Sequence, residues 1–245
     1  MVMTLYLDFN ITMNNLILQI DTSTTVCSVA LSQNGQTLAV LNLDEPNAHA
    51  AKLTVLIEQI LRQSGRSIKE LAGIAVSMGP GSYTGLRIGV STAKGLCYGL
   101  DIPLVAVNTL DALFAGYREQ FDLQEKEAYI PMLDARRMEV YAAVYDHNGE
   151  LIKPTSAEII DADYYNELLV TYKRVHLFGS GADKFETLFE SDDRVNVQPG
   201  FKNSAAFLSQ LAFDKFQHKK FEDVAYFEPF YLKDFVVMTK KKVGL

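Results

Sequence analysis

Cysteine is nearly absent. Cys27 and Cys97 are the two in 245 residues, each inside an apolar stretch. That excludes a disulfide framework and fits buried thiols in a reducing compartment. Histidine is almost as scarce. His49, His147, His176 and His218 are scattered, so no metal site is expected, because one imidazole alone does not hold an ion. An excess of positive charge is missing too. Lys and Arg number 23 against 30 Asp and Glu, a net charge of −7. Phosphate contacts supply most of the affinity for nucleic acid, so tight RNA binding by the isolated chain is not expected. Lys240, Lys241 and Lys242 are the local exception, either a solvated tail over 236–245 or an arm that touches RNA inside an assembly. No apolar run is long enough to span a bilayer. The first residues carry no Lys or Arg ahead of their apolar positions, so no secretion signal is expected. Residues 1–13 are set aside as an N-terminal extension. A cytoplasmic protein without a membrane partner follows.

What is present alternates between strand-like and helix-like stretches, which predicts an α/β fold. Residues 16–20 read as a buried strand ending at Asp21. Strands at 26–32 and 37–43 flank Asn34-Gly35, a type I′ hairpin pair. Leu53, Leu56, Ile57, Ile60 and Leu61 recur at helical spacing over 49–64, with Gly65 as the stop. A strand at 73–77 leads into the loop MGPGSYTG, a helix over 82–99 and a strand at 104–107. The second half repeats the opening. A strand ends at Asp134, a turn holds Ala135, Arg136 and Arg137, and strands flank Asn148-Gly149. Asp21 precedes its Asn-Gly by 13 residues and Asp134 by 14. The repeat predicts an internal duplication: an N-terminal lobe over 14–108 and a C-terminal lobe over 109–235, with a seam near 108–128. Residues 175–185 read as a strand, a glycine turn and a helix start, and 203–216 as an amphipathic helix.

A duplicated meander with an Asp at the end of each first strand resembles the actin, sugar-kinase and heat-shock ATPase superfamily. The resemblance implies two actin-like (RNase H-like) lobes, each a mixed sheet flanked by helices, around a nucleotide cleft. GPGSYTGLRIG at 79–89, the opening IDTSTTVCSVAL and the late PFYLKDF are similar to the TsaB family, over nearly all of 14–235. That resemblance implies a scaffold subunit that pairs with TsaD, the catalytic subunit for threonylcarbamoyl transfer to tRNA. TsaE is the further partner, a homodimer forms when the chain is alone, and tRNA is met only through the complex. No catalytic residue and no firmly bound cofactor are implied, with ATP or ADP a ligand of the complex.

The residues leave alternatives open. Asp21, Thr22, Ser23 and Thr24 fit a weak or vestigial phosphate loop, or a turn in which side chains satisfy backbone N–H groups. Gly179 and Gly181 fit an adenosine pocket or a strand-to-helix turn. Gly79 and Gly81 fit an anion cradle or a tight turn with Ser82 as helix cap. The small stripe Gly85, Gly89, Ala93, Gly95 and Gly99 fits internal packing or an intermolecular bundle. The resemblance favours the bundle, and the expected interface is Leu53, Leu56, Ile57, Ile60, Gly81, Ser82, Leu86, Gly89, Val90 and Ala93. On that view Leu86→Glu or Ile57→Glu breaks pairing and spares the fold. Arg87, Arg136 and Arg137 have no assigned role. An autonomous ATPase or small-molecule kinase using Asp21 and Asp134 is the alternative function.

Overall fold

The structure is a computed structural model that describes residues 15–45 and 48–233. The extension over 1–13 and the tail over 236–245 lie outside the described residues. All six residues of β1 (Leu16–Asp21) are buried. β2 (Val26–Gln33) is nearly as buried. β3 (Gln36–Asp44) alternates exposed and half-buried positions over its second half, as an edge strand with one wet face should. Asn34 and Gly35 join β2 to β3 with φ of 51° and 82°, the two left-handed positions of a type I′ turn. α1 (His49–Gln63) lays Leu53, Ile57, Ile60 and Leu61 on this sheet. Gly65, at φ +63°, stops it, and Arg66 N–H donates to Leu61 O at 2.9 Å beyond it. β4 (Gly73–Gly79), α2 (Tyr83–Leu100) and β5 (Leu104–Asn108) follow. Ser82 caps α2 by accepting the Gly85 N–H at 3.3 Å.

The chain continues through α3 (Thr109–Gln120), β6 (Glu127–Asp134), β7 (Glu139–Tyr145) and β8 (Leu151–Ile159). Short α4 (Leu168–Thr171) leads to β9 (Arg174–Phe178), and short α5 (Glu186–Phe189) to β10 (Val195–Gln198). α6 (Ser209–Gln217) is the last helix described. The sheets run β3-β2-β1-β4-β5 and β8-β7-β6-β9-β10. In each, the first strand of the meander pairs antiparallel with the second and parallel with the strand after the crossover. The two halves therefore share strand order and sense, as the duplicated sequence pattern predicts.

Two elements depart from the sequence reading. The stretch near 108–128 contains α3, capped by Asn108, whose side chain accepts the Leu110 N–H at 2.8 Å. Leu110, Leu113, Phe114 and Tyr117 pack with Tyr129, Tyr145 and Phe178 of the second sheet. The single helix expected over 203–216 is a 3-10 turn, Ala205–Leu208, followed by α6. Ala205 N–H donates to Ser28 Oγ at 2.7 Å, which pins the turn to β2. Leu208 and Ala212 pack on Ile17, Ala75 and Val105, so the second half supplies a layer to the first sheet.

After α6 the chain returns as a strap. Glu222 N–H donates to Leu104 O at 2.9 Å and Phe230 N–H to Met78 O at 2.7 Å. Lys94 Nζ on α2 donates to the carbonyls of Ala225 and Phe227 at 3.1 and 2.9 Å. Lys233 then pairs with Glu139 on β7, tying the strap to the second sheet.

Candidate functional site between the lobes

Parallel strands β1, β4 and β5 end at one edge of the first sheet, and in open α/β sheets ligands bind outside such carboxyl ends. Asp21 sits there and is 1% exposed. Its Oδ1 accepts from Ser23 N–H at 2.9 Å and from the Ser23 hydroxyl at 2.6 Å, an Asx-type turn. Thr22 Oγ1 donates to Gly85 O at 2.7 Å. Thr24, half-exposed, accepts the Val26 N–H at 3.3 Å. These contacts satisfy Asp21 Oδ1, the Thr22 and Ser23 hydroxyls and the adjoining backbone, and leave Asp21 Oδ2 with the Asn203 amide at 3.5 Å.

α2 seals the turn from outside. Ser82 N–H donates to Ser23 O at 2.7 Å. A Cβ on Gly81 would lie 2.4 Å from Ser23 O, one on Gly85 2.1 Å from Thr22 O, and one on Gly89 2.2 Å from Thr22 Oγ1. From the other side, a Cβ on Gly79 would lie 2.5 Å from Phe230 O of the strap. The glycines of GPGSYTG thus admit the close approach of two other backbones. The cleft left beside this loop holds about 40 Å3 among Tyr83, Tyr141, Tyr231 and Lys233.

The matching turn of the second lobe is built differently. The Asp134 side chain is 51% exposed and pairs with Lys184 Nζ at 2.6 Å. Lys184 also donates to Glu139 O at 2.7 Å. Arg136 and Arg137 hold φ of 75° and 53°, an uncommon region for side chains of this kind. Gly179 and Gly181 are buried against β6, where a Cβ would meet Met132 O at 2.4 Å and the Leu133 carbonyl carbon at 2.7 Å. Both glycines serve the strand-to-helix turn.

Burial removes seven of the ten expected interface residues from the surface, all but Leu56, Gly81 and Ser82. Leu53, Ile57, Ile60, Leu86, Val90 and Ala93 are at most 4% exposed. Gly89 is buried, Leu56 and Gly81 are half-buried, and Ser82 is exposed. An amphipathic helix turns its apolar stripe to its own sheet first, and helical spacing does not say which surface receives the stripe. The outward positions include Val55 and Glu58 on α1, and Arg87, Ser91, Gly95 and Tyr98 on α2. Between the helices runs a groove of about 410 Å3, floored by Ile57, Leu61 and Leu96 and rimmed by Glu58, Arg62 and Arg66.

Arg87 lies 4.2 Å over the Tyr83 ring and donates to Tyr231 Oη at 3.3 Å. The two segments singled out in the sequence, 79–89 and the strap, therefore dock on each other. Among the described residues no group of three or more His, Cys, Asp or Glu gathers. His49 begins α1, buried, and its Nε2 has no hydrogen-bond partner among the described residues. Burial pushes the thiols up, Cys27 to about 11 and Cys97 to about 12, which leaves neither as a nucleophile. The sequence reading missed a further cluster. His176 Nε2 meets Glu127 Oε2 at 2.6 Å, and Nδ1 meets Asn196 Nδ2 at 3.1 Å. Its members are far apart in the chain and share no motif.

Two lobes of one strand order, each with an Asp-bearing turn after its first strand, define a protein of actin-like ATPase fold. The sequence model of TsaD, tRNA N6-adenosine threonylcarbamoyltransferase, matches residues 45–241. The tRNA threonylcarbamoyladenosine biosynthesis protein TsaB of Haemophilus influenzae is 36% identical over 130 residues, 53% of this chain and 53% of that protein. The alignment thus spans about half the length of that relative. TsaB of Bacillus subtilis is 31% identical over 192 residues, 78% of this chain and 80% of that protein. The solved structure of YeaZ from Pseudomonas aeruginosa superposes with a TM-score of 0.70 at 27% identity, covering 89% of this chain and all of that one. The chain belongs to the TsaB family, within the sequence family that the TsaD model describes.

Proposed function

We propose that this chain is a non-catalytic subunit in tRNA threonylcarbamoyladenosine biosynthesis. It pairs with a TsaD-type transferase, which TsaE joins, and supports transfer of threonylcarbamoyl to the adenosine beside the anticodon. The observation that carries the non-catalytic part is the sealed first turn. A phosphate-transferring member of this fold needs that turn open, and here Asp21, Thr22 and Ser23 are at most 1% exposed beneath α2. Family membership supplies the pathway. The outward faces of α1 and α2 supply the pairing surface. Tyr98, 86% exposed, and Val55, 51% exposed, suit a partner better than water. Without TsaD the same faces join two copies. ATP or ADP belongs to the complex, and tRNA is met through the complex, in keeping with a net charge of −7. The described helices include none long and apolar enough to cross a membrane, which is consistent with work in the cytoplasm.

A tRNA-modification assay with TsaD, TsaE and a threonylcarbamoyl-adenylate source tests this. Modification should appear only when the chain is added, and the chain alone should do nothing. Modification indifferent to the chain overturns the reading. Metal-dependent ATP turnover by the isolated chain, lost in Asp21→Ala, would replace it with the kinase reading. Against that reading stand the burial of Asp21 and the Lys184 contact of Asp134.

A further inference from the structure

Asp21 is a buried carboxylate without a counter-charge: among the described residues, none of the ion pairs includes it. Two donors of Ser23 satisfy Oδ1. Among the described residues Oδ2 has only the Asn203 amide, at 3.5 Å. A carboxylate withdrawn from water is costly unless it is compensated.

The same region holds oxygen atoms with nothing to bind. Among the described residues, Ser77 Oγ and Asn203 Oδ1 are buried and have no hydrogen-bond partner. Ser77 is 0% exposed and Asn203 is 3% exposed. Ile20 pairs with Val76 in the parallel register, so Ser77 is the next residue alongside Asp21. Asn203 comes from the second half and holds its Nδ2 at 3.5 Å from both Asp21 Oδ2 and Ser23 Oγ.

Every unsatisfied atom in this cluster is oxygen. Such donor sets suit hard cations and not zinc or copper. One carboxylate balances one positive charge, and a divalent ion would leave a buried net charge. We propose that Asp21, Ser77 and Asn203 form a buried site for a monovalent alkali cation, Na+ or K+. The ion ties the ends of β1 and β4 to the segment that leads into α6. This holds whether or not the partner-subunit reading does.

The test is thermal unfolding of the full chain at constant ionic strength in NaCl, KCl or choline chloride. The expected result is a Tm higher in one or both alkali salts, saturating with concentration as a bound ligand requires. Ser77→Ala should raise the half-saturating concentration by about tenfold, the scale typical of a lost metal-site contact. Asp21→Asn should abolish the cation dependence. If that variant does not fold, 23Na line broadening by the wild-type chain, reduced in Ser77→Ala, decides instead. Equal Tm values in all three salts overturn the site and leave buried water as the compensation. A saturating response to MgCl2 alone overturns the monovalent assignment.

Discussion

Gly85 and Gly89 stand one turn apart on α2 and face the Asp21 turn, while Gly95 and Gly99 on the same helix face open space. The same residue type therefore has opposite stability consequences. Gly85→Ala should cost about 1–3 kcal/mol, the usual range for forcing a methyl into a packed site. Gly95→Ala and Gly99→Ala should gain up to about 1 kcal/mol from helix propensity alone. Urea denaturation reads both, and similar values for Gly85 and Gly95 would contradict the sealed turn. His176 gives a pH signature. Burial is the largest influence and holds its pKa below the ordinary value, against the opposing pull of Glu127. The neutral ring suits its partners, with Nε2–H donating to Glu127 and Nδ1 accepting from Asn196. A lowered histidine pKa means that the unfolded chain takes up the proton first. Stability should thus fall as pH drops below about 6.5, the unperturbed value. His176→Gln should flatten that slope, and an unchanged slope would assign it to other groups. None of this was legible in the sequence, because Glu127 and His176 are 49 positions apart.

At the scale of elements, α1 and α2 were visible from their apolar spacing, and their ends from Gly65 and Ser82. Their orientation was not. The stripe that looked like a partner surface is the lobe's own core, so Leu86→Glu and Ile57→Glu should unfold the chain instead of sparing it. Each places a charge where the native side chain is at most 4% exposed. Gly95→Trp, on the outward face, should leave the unfolding midpoint nearly unchanged and reduce co-purification with TsaD. Soluble, folded Leu86→Glu would refute the burial argument, and full pairing by Gly95→Trp would move the partner surface elsewhere. α3 escaped the sequence reading because its short apolar pattern lies in what resembled a connector. Its packing against Tyr129 and Phe178 is what makes it a core helix.

Across the whole molecule, the two sheets repeat one topology while the helices and the strap cross between the halves. α6 covers the first sheet from the second half, and Lys233 fastens the strap to β7. The α/β class, the duplication, the type I′ hairpin at Asn34-Gly35 and the family were legible in the sequence. These follow from local periodicity, turn chemistry and short motifs, which act over a few residues. Whether the Asp21 turn is open or sealed, and which side of α2 faces water, was not legible there. Both depend on contacts between distant segments: Gly85 against Thr22, Phe230 against Met78, and Asn203 against Asp21. A backbone that approaches from 60 or more residues away leaves no periodic mark on the strand or helix it touches, so the fate of a glycine loop is set by packing and not by its own sequence.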